Sequence, residues 1–237
     1  MSKLPKWAAD LTEKASFIMP DMKISEVVHI NQNLKKIRFQ GDLSRMNFQI
    51  GYANIIRVSD TEFRNYTTSY HNIEEGYFDI IFHIHRNGVG SNYIDTLKSG
   101  NELKVGIPRG KKMYEQNVKH HLIFGDETSL GIACSVLPLL KQNKNEYQFY
   151  FELDDENRNV PELLGLENYT IFSKKDTFRN ELWINSLPIF KTNEWNFANY
   201  ILTGNVKSVQ TFRKVLKDKT QGKIYSQGFW LEGKKGL

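Results

Sequence analysis

Residues 118–131 read Val-Lys-His-His-Leu-Ile-Phe-Gly-Asp-Glu-Thr-Ser-Leu-Gly, an apolar strand pattern followed directly by a helix start. Glycine at the end of a strand permits a sharp turn, and threonine and serine are residue types that begin helices. Alternation of strand and helix patterns to the end of the chain predicts right-handed crossovers and a parallel sheet covered on both faces. The strands are predicted at residues 118–124, 147–153, 169–172, 199–203 and 223–229, and the helices at 129–141, 160–166, 178–190 and 206–217.

The residues that precede this segment have the pattern of an antiparallel β structure. In residues 77–85, Tyr-Phe-Asp-Ile-Ile-Phe-His-Ile-His, every second side chain is apolar, as in a strand with one buried face. Other short β-prone runs lie at 24–30, 34–39, 48–58 and 102–107, and one helical stretch lies at 91–99. We therefore predict an N-terminal antiparallel Greek-key β-barrel, residues 1–115, followed by a parallel-sheet α/β nucleotide-binding domain, residues 116–237.

The composition excludes several classes of protein. The net charge is +5, but there are 16 basic and 13 acidic residues up to residue 117, and 16 and 14 after it. Nucleic-acid binders concentrate their basic residues instead. The single cysteine, Cys134, excludes an intramolecular disulfide framework and a zinc ribbon. The charged N-terminus is not a secretory signal and no apolar run approaches the ~18 residues that span a bilayer, so we expect a cytoplasmic protein.

The tetrapeptide Arg64-Asn65-Tyr66-Thr67 is the most informative motif of the first part. On a strand, Arg64 and Tyr66 share one face and Thr67 lies on the other. An arginine can pair with a phosphate through two hydrogen bonds, a tyrosine can stack on a flat ring, and a threonine can bond a ring nitrogen. These properties fit a flavin dinucleotide. A surface arginine beside an ordinary Tyr-Thr pair is the alternative, and the tetrapeptide alone favours it.

A second candidate segment is residues 88–93, Gly-Val-Gly-Ser-Asn-Tyr. Ser91 is expected to cap the helix that follows, and glycines such as Gly90 let a phosphate approach backbone N–H groups. The segment is not a dinucleotide fingerprint, because it lacks the third glycine and no parallel βαβ unit surrounds it. Two interpretations stay open: a pyrophosphate bound at the helix start, and an ordinary glycine turn with a serine cap.

Three segments of the second part lie where a parallel sheet binds ligands, at the carboxyl ends of its strands. The segment Gly125-Asp126-Glu127-Thr128 would receive the pyrophosphate of a pyridine nucleotide, unless its acidic pair caps backbone amides instead. Ser173 and Lys174, with Lys175, could hold the 2′-phosphate of NADP or form a solvated lysine pair. Trp230, which ends the last strand, could stack on a flavin or close the core.

Taken in order, these segments resemble the siderophore-interacting proteins of the ferredoxin reductase superfamily. The barrel of that family carries R-x-Y-T and a second flavin segment with a histidine, a small residue plus serine and a G-P-R-G-like turn. Its nucleotide domain opens with G-D-E-T and closes with G-Y-W. The matching positions are residues 64–67, His85, Gly90-Ser91, and residues 107–110, 125–128 and 228–230.

The sequence departs from this family at three places. Ser69 stands where the family usually has a second arginine, which implies weaker or rearranged contacts with the flavin phosphates. Ser129-Leu130-Gly131 replaces the A-L-P that follows G-D-E-T. The segment Phe172-Ser173-Lys174-Lys175 is more similar to the F-S-R of NADP-dependent ferredoxin reductases. These departures bear on the prediction of the substrate more than on the predictions of the fold and of the flavin cofactor.

The resemblance implies a bound FAD, NADPH or NADH as electron donor, and a ferric siderophore that is reduced and then releases Fe(II). It implies no catalytic acid or base and no resident metal, in a monomer or weak dimer. Exposed lysines would attract an anionic siderophore, with Lys234 and Lys235 as candidates. The candidate FAD ligands are Arg64, Tyr66, Thr67, Ser69, His85, Gly90, Ser91 and Trp230, and those for NAD(P)H are Gly125, Asp126, Glu127, Thr128, Ser173 and Lys174.

Two other functions are left open by the sequence. One is a related flavoenzyme whose acceptor is a free flavin, a quinone or an iron–sulfur protein. The other is a non-catalytic binding protein that keeps the FAD-binding fold.

Overall fold

The computed structural model describes residues 3–14, 18–175 and 177–234, so Lys235, one of the two siderophore-site candidates, lies outside the described residues. Internal contacts divide the chain into two units, one up to Lys112 and the other from Met113 onward. In the described part of the chain, no helix is both long enough and apolar enough to cross a bilayer.

The first unit is a curled antiparallel sheet that forms the predicted barrel. Its strands are β1 Asp21–His29, β2 Leu34–Gln40, β3 Tyr52–Arg57, β4 Phe63–Asn72, β5 Tyr77–His83, β6 Glu102–Lys104 and β7 Arg109–Gly110. Their order is β6-β1-β2-β5-β4-β3-β7. The chain after β6 joins the two edges, because Val105 pairs with Ile56 of β3 and its N–H donates to the Pro20 carbonyl beside β1. Since β2 pairs with β5 and not with β3, the connection is of the Greek-key type.

The alternation in residues 77–85 builds the barrel core. Phe78, Ile80 and Phe82 of β5 belong to one buried apolar cluster, together with Ile37 and Phe39 of β2. The rings of Phe78 and Phe39 stack with their centroids 5.2 Å apart, and the two residues are partners in the ladder. A shift of one residue would turn every core side chain outward, so this pattern fixes the register.

Two helices belong to this unit. The first, α1 Lys6–Lys14, is not predicted by its charged sequence. Arg57 of β3 bonds two of its acidic side chains, Asp10 at 2.8 Å and Glu13, and Ala9 packs into a small apolar cluster. The second, α2 Val89–Thr96, begins two residues earlier than the helix predicted over residues 91–99.

The second unit is a five-stranded parallel sheet, as predicted. Its strands are β8 His120–Gly125, β9 Glu146–Leu153, β10 Tyr169–Ser173, β11 Asn199–Asn205 and β12 Ile224–Trp230. Its helices are α3 Leu130–Gln142, α4 Val160–Leu163, α5 Glu181–Asn185 and α6 Val206–Lys217. The order β10-β9-β8-β11-β12 places two strands on each side of β8. Ligands in such sheets bind where the strand order reverses, which is beyond the carboxyl ends of β8 and β11.

The helix predicted over residues 178–190 is wrong, because this stretch consists of three short pieces. They are a 3₁₀ turn at Thr177–Arg179, the helix α5, and a second 3₁₀ turn at Pro188–Phe190. Asn180 starts α5, since its side-chain oxygen accepts the Trp183 N–H at 3.2 Å. Pro188 cannot continue a helix because its ring fixes φ and it lacks an N–H. Phe178 and Ile184 nevertheless pack into the core.

His121, in β8, is expected to make the second unit sensitive to acid. Its ring is buried, stacks on Tyr114 with centroids 5.0 Å apart, and donates from Nε2 to the Val118 carbonyl at 2.9 Å. Burial lowers the pKa of His121 below its ordinary value of 6.5. A base with a lowered folded pKa contributes stability above its unfolded pKa and loses it as the pH falls.

We therefore expect the His121 ring resonances to titrate below pH 6.5 in an NMR titration. The urea midpoint should also decrease between about pH 7 and about pH 5. A titration midpoint at or above 6.5 would contradict the expectation.

Candidate functional site

Arg64 and Tyr66 lie on one face of β4 in the first unit. The Tyr66 ring packs edge-on against Phe82 with centroids 4.7 Å apart. Burial raises the pKa of the Tyr66 hydroxyl, so this group is neutral and can donate a hydrogen bond. The Arg64 guanidinium donates to the Phe63 carbonyl at 2.8 Å and lies 3.5 Å from a Glu62 oxygen. Since a guanidinium has five N–H donors and this side chain is 21% exposed, it can also bind an anion.

The first turn of α2 lies against these two side chains. A Cβ atom on Gly90 would be 2.8 Å from the Tyr66 hydroxyl oxygen and 3.1 Å from Arg64 Cγ, so glycine is what allows this close approach. Gly88 is the N-cap residue, and as a glycine it has no side chain that could accept from the N–H groups of the first turn. The N–H groups of a first helical turn carry partial positive charge. Amides, a guanidinium and a neutral phenol thus meet at one place, which fits a pyrophosphate beside a flat ring.

Two serines of the predicted flavin site are directed elsewhere. The prediction that Ser91 caps α2 is wrong. Ser91 lies inside the first turn, and its hydroxyl accepts the Arg86 N–H at 2.9 Å. Ser69 is 2% exposed and donates its hydroxyl to the Asp79 carbonyl at 2.9 Å. The hydroxyl of Ser69 thus bonds the neighbouring strand, and a contact of this residue with FAD stays a prediction.

His85 and Thr67 have different surroundings. Nδ1 of His85 accepts the Asn87 N–H at 3.2 Å, and its Cε1 is 3.3 Å from the place that a Cβ on Gly88 would occupy. The imidazole therefore packs against the turn that precedes α2. Thr67 is half-buried and pairs with Ala53 in the ladder between β3 and β4. Its bond to a flavin nitrogen stays a prediction.

Lys35, which the sequence analysis missed, lies at the other end of α2. Its side chain is 2% exposed, and Nζ donates to the carbonyls of Ile94 at 3.1 Å, Asp95 at 3.1 Å and Leu97 at 2.7 Å. Burial lowers the pKa of Lys35, whereas the negative end of the helix favours its charged form. No sequence signal separates this lysine from a solvated one, because the next residue is also a lysine.

Replacing Lys35 by methionine is expected to lower the free energy of unfolding by about 2 kcal/mol, because three carbonyls lose a charged donor. Urea denaturation followed by circular dichroism measures the change. Lys36→Met, at the partly exposed neighbouring position, is the matched control and should change it by less than about 0.5 kcal/mol. Equal urea midpoints for Lys35→Met and the unmodified protein would contradict the capping role.

The Asp126 carboxylate joins three loops at the carboxyl edge of the parallel sheet. It is 2% exposed and accepts four hydrogen bonds. The donors are the Thr128 N–H at 2.9 Å, the Thr128 hydroxyl at 2.5 Å, the Asn205 N–H at 2.8 Å and the Trp230 indole N–H at 2.7 Å. Burial, and then the charge of Glu127, raise the pKa of Asp126. The carboxylate thus connects the ends of β8, β11 and β12. It also caps the Thr128 backbone amide, which is the alternative to phosphate binding that the sequence left open.

Glu127 and Lys174 form a buried ion pair beside Asp126. Glu127 is 1% exposed and accepts from Lys174 Nζ at 2.6 Å, the Asp154 N–H at 2.8 Å and Asn157 Nδ2 at 3.0 Å. Lys174 also donates to the Asp154 carboxylate at 3.2 Å. Burial opposes the charge on Lys174, but the nearby carboxylates outweigh it and raise its pKa. The ammonium of Lys174 is therefore bound by two carboxylates in this structure, and its contact with a 2′-phosphate stays a prediction.

Two glycines allow the loops to meet. A Cβ on Gly125 would lie 2.1 Å from Ser129 Cβ, so a larger residue would displace the turn into α3. Gly204 has φ of +105°, and a Cβ there would lie 2.5 Å from Asp126 Oδ2. Gly125 belongs to a motif that the sequence reveals, whereas Gly204 belongs to none.

Trp230 lies over the Asp126 and Lys174 side chains. Beyond its bond to Asp126, its ring centroid is 5.3 Å from Lys174 Nζ, a cation–π distance. Two residues later, Glu232 accepts from Asn205 Nδ2 at 3.3 Å and pairs with Arg179. The end of β12 is therefore bonded to the ends of β8 and β11 in the same sheet. Stacking of Trp230 on a flavin stays a prediction.

Ser173 and Lys234 lie at the margins of this edge. Ser173 ends β10, is half-buried, and its carbonyl accepts the Thr177 hydroxyl at 3.2 Å. Lys234 is exposed after the end of β12. Their contacts with a nucleotide and a siderophore stay predictions. Across the described ranges, no group of three or more His, Cys, Asp or Glu side chains is arranged to hold a metal ion.

Comparison with a family model assigns the barrel. Residues 21–114 match the model described as "Oxidoreductase FAD-binding domain". Among curated proteins, the chain is 33% identical over 132 residues to NADH-cytochrome b5 reductase 1 of Dictyostelium discoideum, covering 52% of this chain and 46% of that protein. It is 37% identical over 130 residues to the protein of the same name from Aspergillus fumigatus, covering 53% and 42%. The chain thus spans about half the length of these relatives.

Comparison with solved structures covers both units. The siderophore-interacting protein SipS from Aeromonas hydrophila superposes with a TM-score of 0.74 over 92% of this chain and 93% of its own, at 16% identity. A siderophore utilization protein from T. fusca gives a TM-score of 0.72 over 92% and 95%, at 18% identity. At such identities the likeness shows the fold alone, which combines an antiparallel barrel with a parallel sheet.

Proposed function

We propose that the protein is an FAD-dependent oxidoreductase, because residues 21–114 match the model described as "Oxidoreductase FAD-binding domain" and the fold is similar to that of SipS. It would take electrons from NADH or NADPH and pass them to a ferric siderophore, which then releases Fe(II). Each NAD(P)H gives up one hydride, so two ferric ions accept one electron each and one proton is released. The proposal includes a cytoplasmic location, where NAD(P)H is available.

The contact of α2 with Arg64 and Tyr66 is the observation that carries this proposal. Because Gly90 has no side chain, the first turn of α2 packs directly against Arg64 and Tyr66. A phosphate bound at the start of α2 would then lie near both the backbone amides of that turn and the guanidinium. The neutral Tyr66 hydroxyl can donate to the sugar or ring portion of the same dinucleotide. When bound, FAD accepts hydride and gives up single electrons, while the protein contributes binding and orientation.

For the acidic residues Asp126 and Glu127, the proposal gives a role other than direct binding of NAD(P)H. A pyrophosphate would be repelled by Asp126 and Glu127, and both carboxylates already accept hydrogen bonds within the protein. We assign them a positioning role: they hold the ends of β8, β9, β11 and β12 in the arrangement that NAD(P)H would meet.

Two observations support a small ferric chelate as the acceptor. The superpositions on two siderophore-interacting proteins and a siderophore utilization protein cover 90% or more of both chains, so the likeness extends over both units of this chain. The chain also carries a net charge of +5, with Lys234 exposed, which favours an anionic chelate. A second candidate acceptor is a haem protein, because the curated relatives are named cytochrome b5 reductases.

Absorption spectroscopy of the purified protein tests the proposal. We expect a flavin spectrum after reconstitution with FAD, bleaching on anaerobic addition of NADH or NADPH, and reoxidation by a ferric catecholate siderophore with Fe(II) trapped by a coloured chelator. Cytochrome b5, free flavin, a quinone and a small iron–sulfur protein are compared as acceptors at equal concentration. Faster reoxidation by one of these would replace the siderophore, and failure to bind FAD would overturn the whole proposal.

A further inference from the structure

The helix α2, whose first turn lies against Arg64 and Tyr66, is too short to be stable by itself. It has eight residues and is therefore about 12 Å long. Isolated helices shorter than about 12 residues are marginal in water, so the position of α2 depends on its contacts with the barrel. Ile94 and Leu97 provide the apolar contacts, because both side chains are buried in the barrel core.

Lys35 of β2 provides polar contacts to α2. Its Nζ atom donates to the backbone carbonyls of Ile94, Asp95 and Leu97 at 3.1, 3.1 and 2.7 Å. An ammonium has three N–H donors and a neutral amine has two, so three acceptors fit the charged form. Carbonyls in the last turn of a helix carry partial negative charge. A cation that is 2% exposed therefore holds this end of α2 against β2.

A second group, Arg86, connects the two ends of α2 with each other. Its backbone N–H donates to Ser91 Oγ in the first turn at 2.9 Å, and its Nε donates to the Asp95 carboxylate in the last turn at 3.3 Å. The Arg86 side chain is 50% exposed, and ion pairs with such exposure contribute little because water screens them. Lys35 is therefore the stronger of these two polar anchors.

Lys35 also lies beside the strand that supports Tyr66. It is the ladder partner of Phe82 in β5, and the Phe82 ring packs edge-on against Tyr66. If α2 moved away from β2, the amides of its first turn would separate from Arg64 and Tyr66. On the basis of the proposed function, we infer that Lys35 is a positioning residue for FAD. It fixes α2 so that the first turn of the helix and Arg64 bind the same pyrophosphate.

Fluorescence titration of the full-length apoprotein with FAD tests the positioning role. We expect Lys35→Met, which keeps the apolar stem and removes the charge, to raise the dissociation constant about 10-fold. Lys35→Gln keeps two N–H donors and should give an intermediate value, and it replaces the methionine variant if that variant does not fold. Lys36→Met is the matched control for the loss of a lysine and should keep the affinity of the unmodified protein.

Met22→Ala is the control for a loss of stability that leaves the contacts of α2 in place. Met22 is buried in the same barrel core, but it lies at the end of the β1–β2 ladder opposite Lys35. Removing its side chain leaves a cavity and lowers the urea midpoint. We expect this variant to bind FAD within about 2-fold of the unmodified protein.

Amide hydrogen exchange gives a readout that does not depend on FAD binding. In Lys35→Met, we expect the amides of α2 to exchange about 10-fold faster relative to those of β3, because the helix opens locally. In Met22→Ala, the ratio between these two sets of amides should stay as in the unmodified protein.

The possible results separate the positioning role from the proposed function. Equal FAD affinity in Lys35→Met and Lys36→Met, or an equal loss in Lys35→Met and Met22→Ala, overturns the positioning role and leaves the proposed oxidoreductase standing. An unchanged exchange ratio in Lys35→Met does the same. Absence of FAD binding to the unmodified protein overturns both.

Discussion

Gly90→Ala is expected to weaken FAD binding by about 100-fold, or about 2.7 kcal/mol. The new methyl group would lie 2.8 Å from the Tyr66 hydroxyl oxygen and 3.1 Å from Arg64 Cγ. Tyr66 cannot withdraw easily, because its ring packs against Phe82 in the barrel core. The start of α2 must therefore move away from the two side chains with which it forms the proposed pyrophosphate site. Fluorescence titration of the apoprotein with FAD measures the loss.

The same variant separates binding from stability. Alanine is a better helix former than glycine by about 1 kcal/mol, and this gain offsets part of the steric cost of the new methyl group. We therefore expect the free energy of unfolding of the apoprotein to change little. Thr96→Ala, at an exposed position in the last turn of α2, is the control and should keep the FAD affinity of the unmodified protein. An unchanged dissociation constant for Gly90→Ala would show that FAD does not bind at this turn.

Asp126→Ala is expected to lower the free energy of unfolding of the second unit by about 3 kcal/mol. Removing the carboxylate leaves the Asn205 N–H and the Trp230 indole N–H without their acceptor in a buried environment. It also releases the ends of β11 and β12 from the β8 loop. Urea denaturation, followed by circular dichroism and tryptophan fluorescence, measures the change.

Loss of Asp126 should also affect nucleotide binding, because the edge of the sheet is no longer held together. We expect the dissociation constant for NADH to rise by about 10-fold in Asp126→Ala, and Asp126→Asn, which keeps one acceptor oxygen, to be intermediate in both measurements. Asp218→Ala removes an exposed carboxylate at the end of α6 and serves as the control. Stability and NADH affinity equal to those of this control would rule out the connecting role of Asp126.

The architecture could be predicted because its signals are local. Alternation in residues 77–85 and the strand-to-helix change at Gly125 each depend on residues within one element, and the structure confirms both the antiparallel sheet and the parallel sheet. The break in residues 178–190 was missed, although Pro188 is a local signal, because the apolar spacing across it resembles one helix. The helix α1 was missed because its contacts to Arg57 come from a distant strand.

The roles of charged and hydroxyl side chains could not be predicted in the same way. Lys174 was interpreted as a phosphate ligand from its position alone, but its partner Glu127 is 47 residues away in the chain. Ser69 and Ser91 are hydroxyl groups whose partners are backbone groups of other segments. Lys35 has no motif, and its three acceptors are about 60 residues away.

The sequence by itself determined the two sheets, the order of the motifs and the places where phosphates could approach, because periodicity and glycine positions act over a few residues. Only the tertiary structure decided which charges are free. Buried polar groups must find partners wherever the fold brings them together, and Asp126 finds Trp230 across 104 residues. Through this pairing, the segment Asp126-Glu127-Thr128, which has the position of a phosphate-binding loop, connects the strand ends at the edge of the sheet.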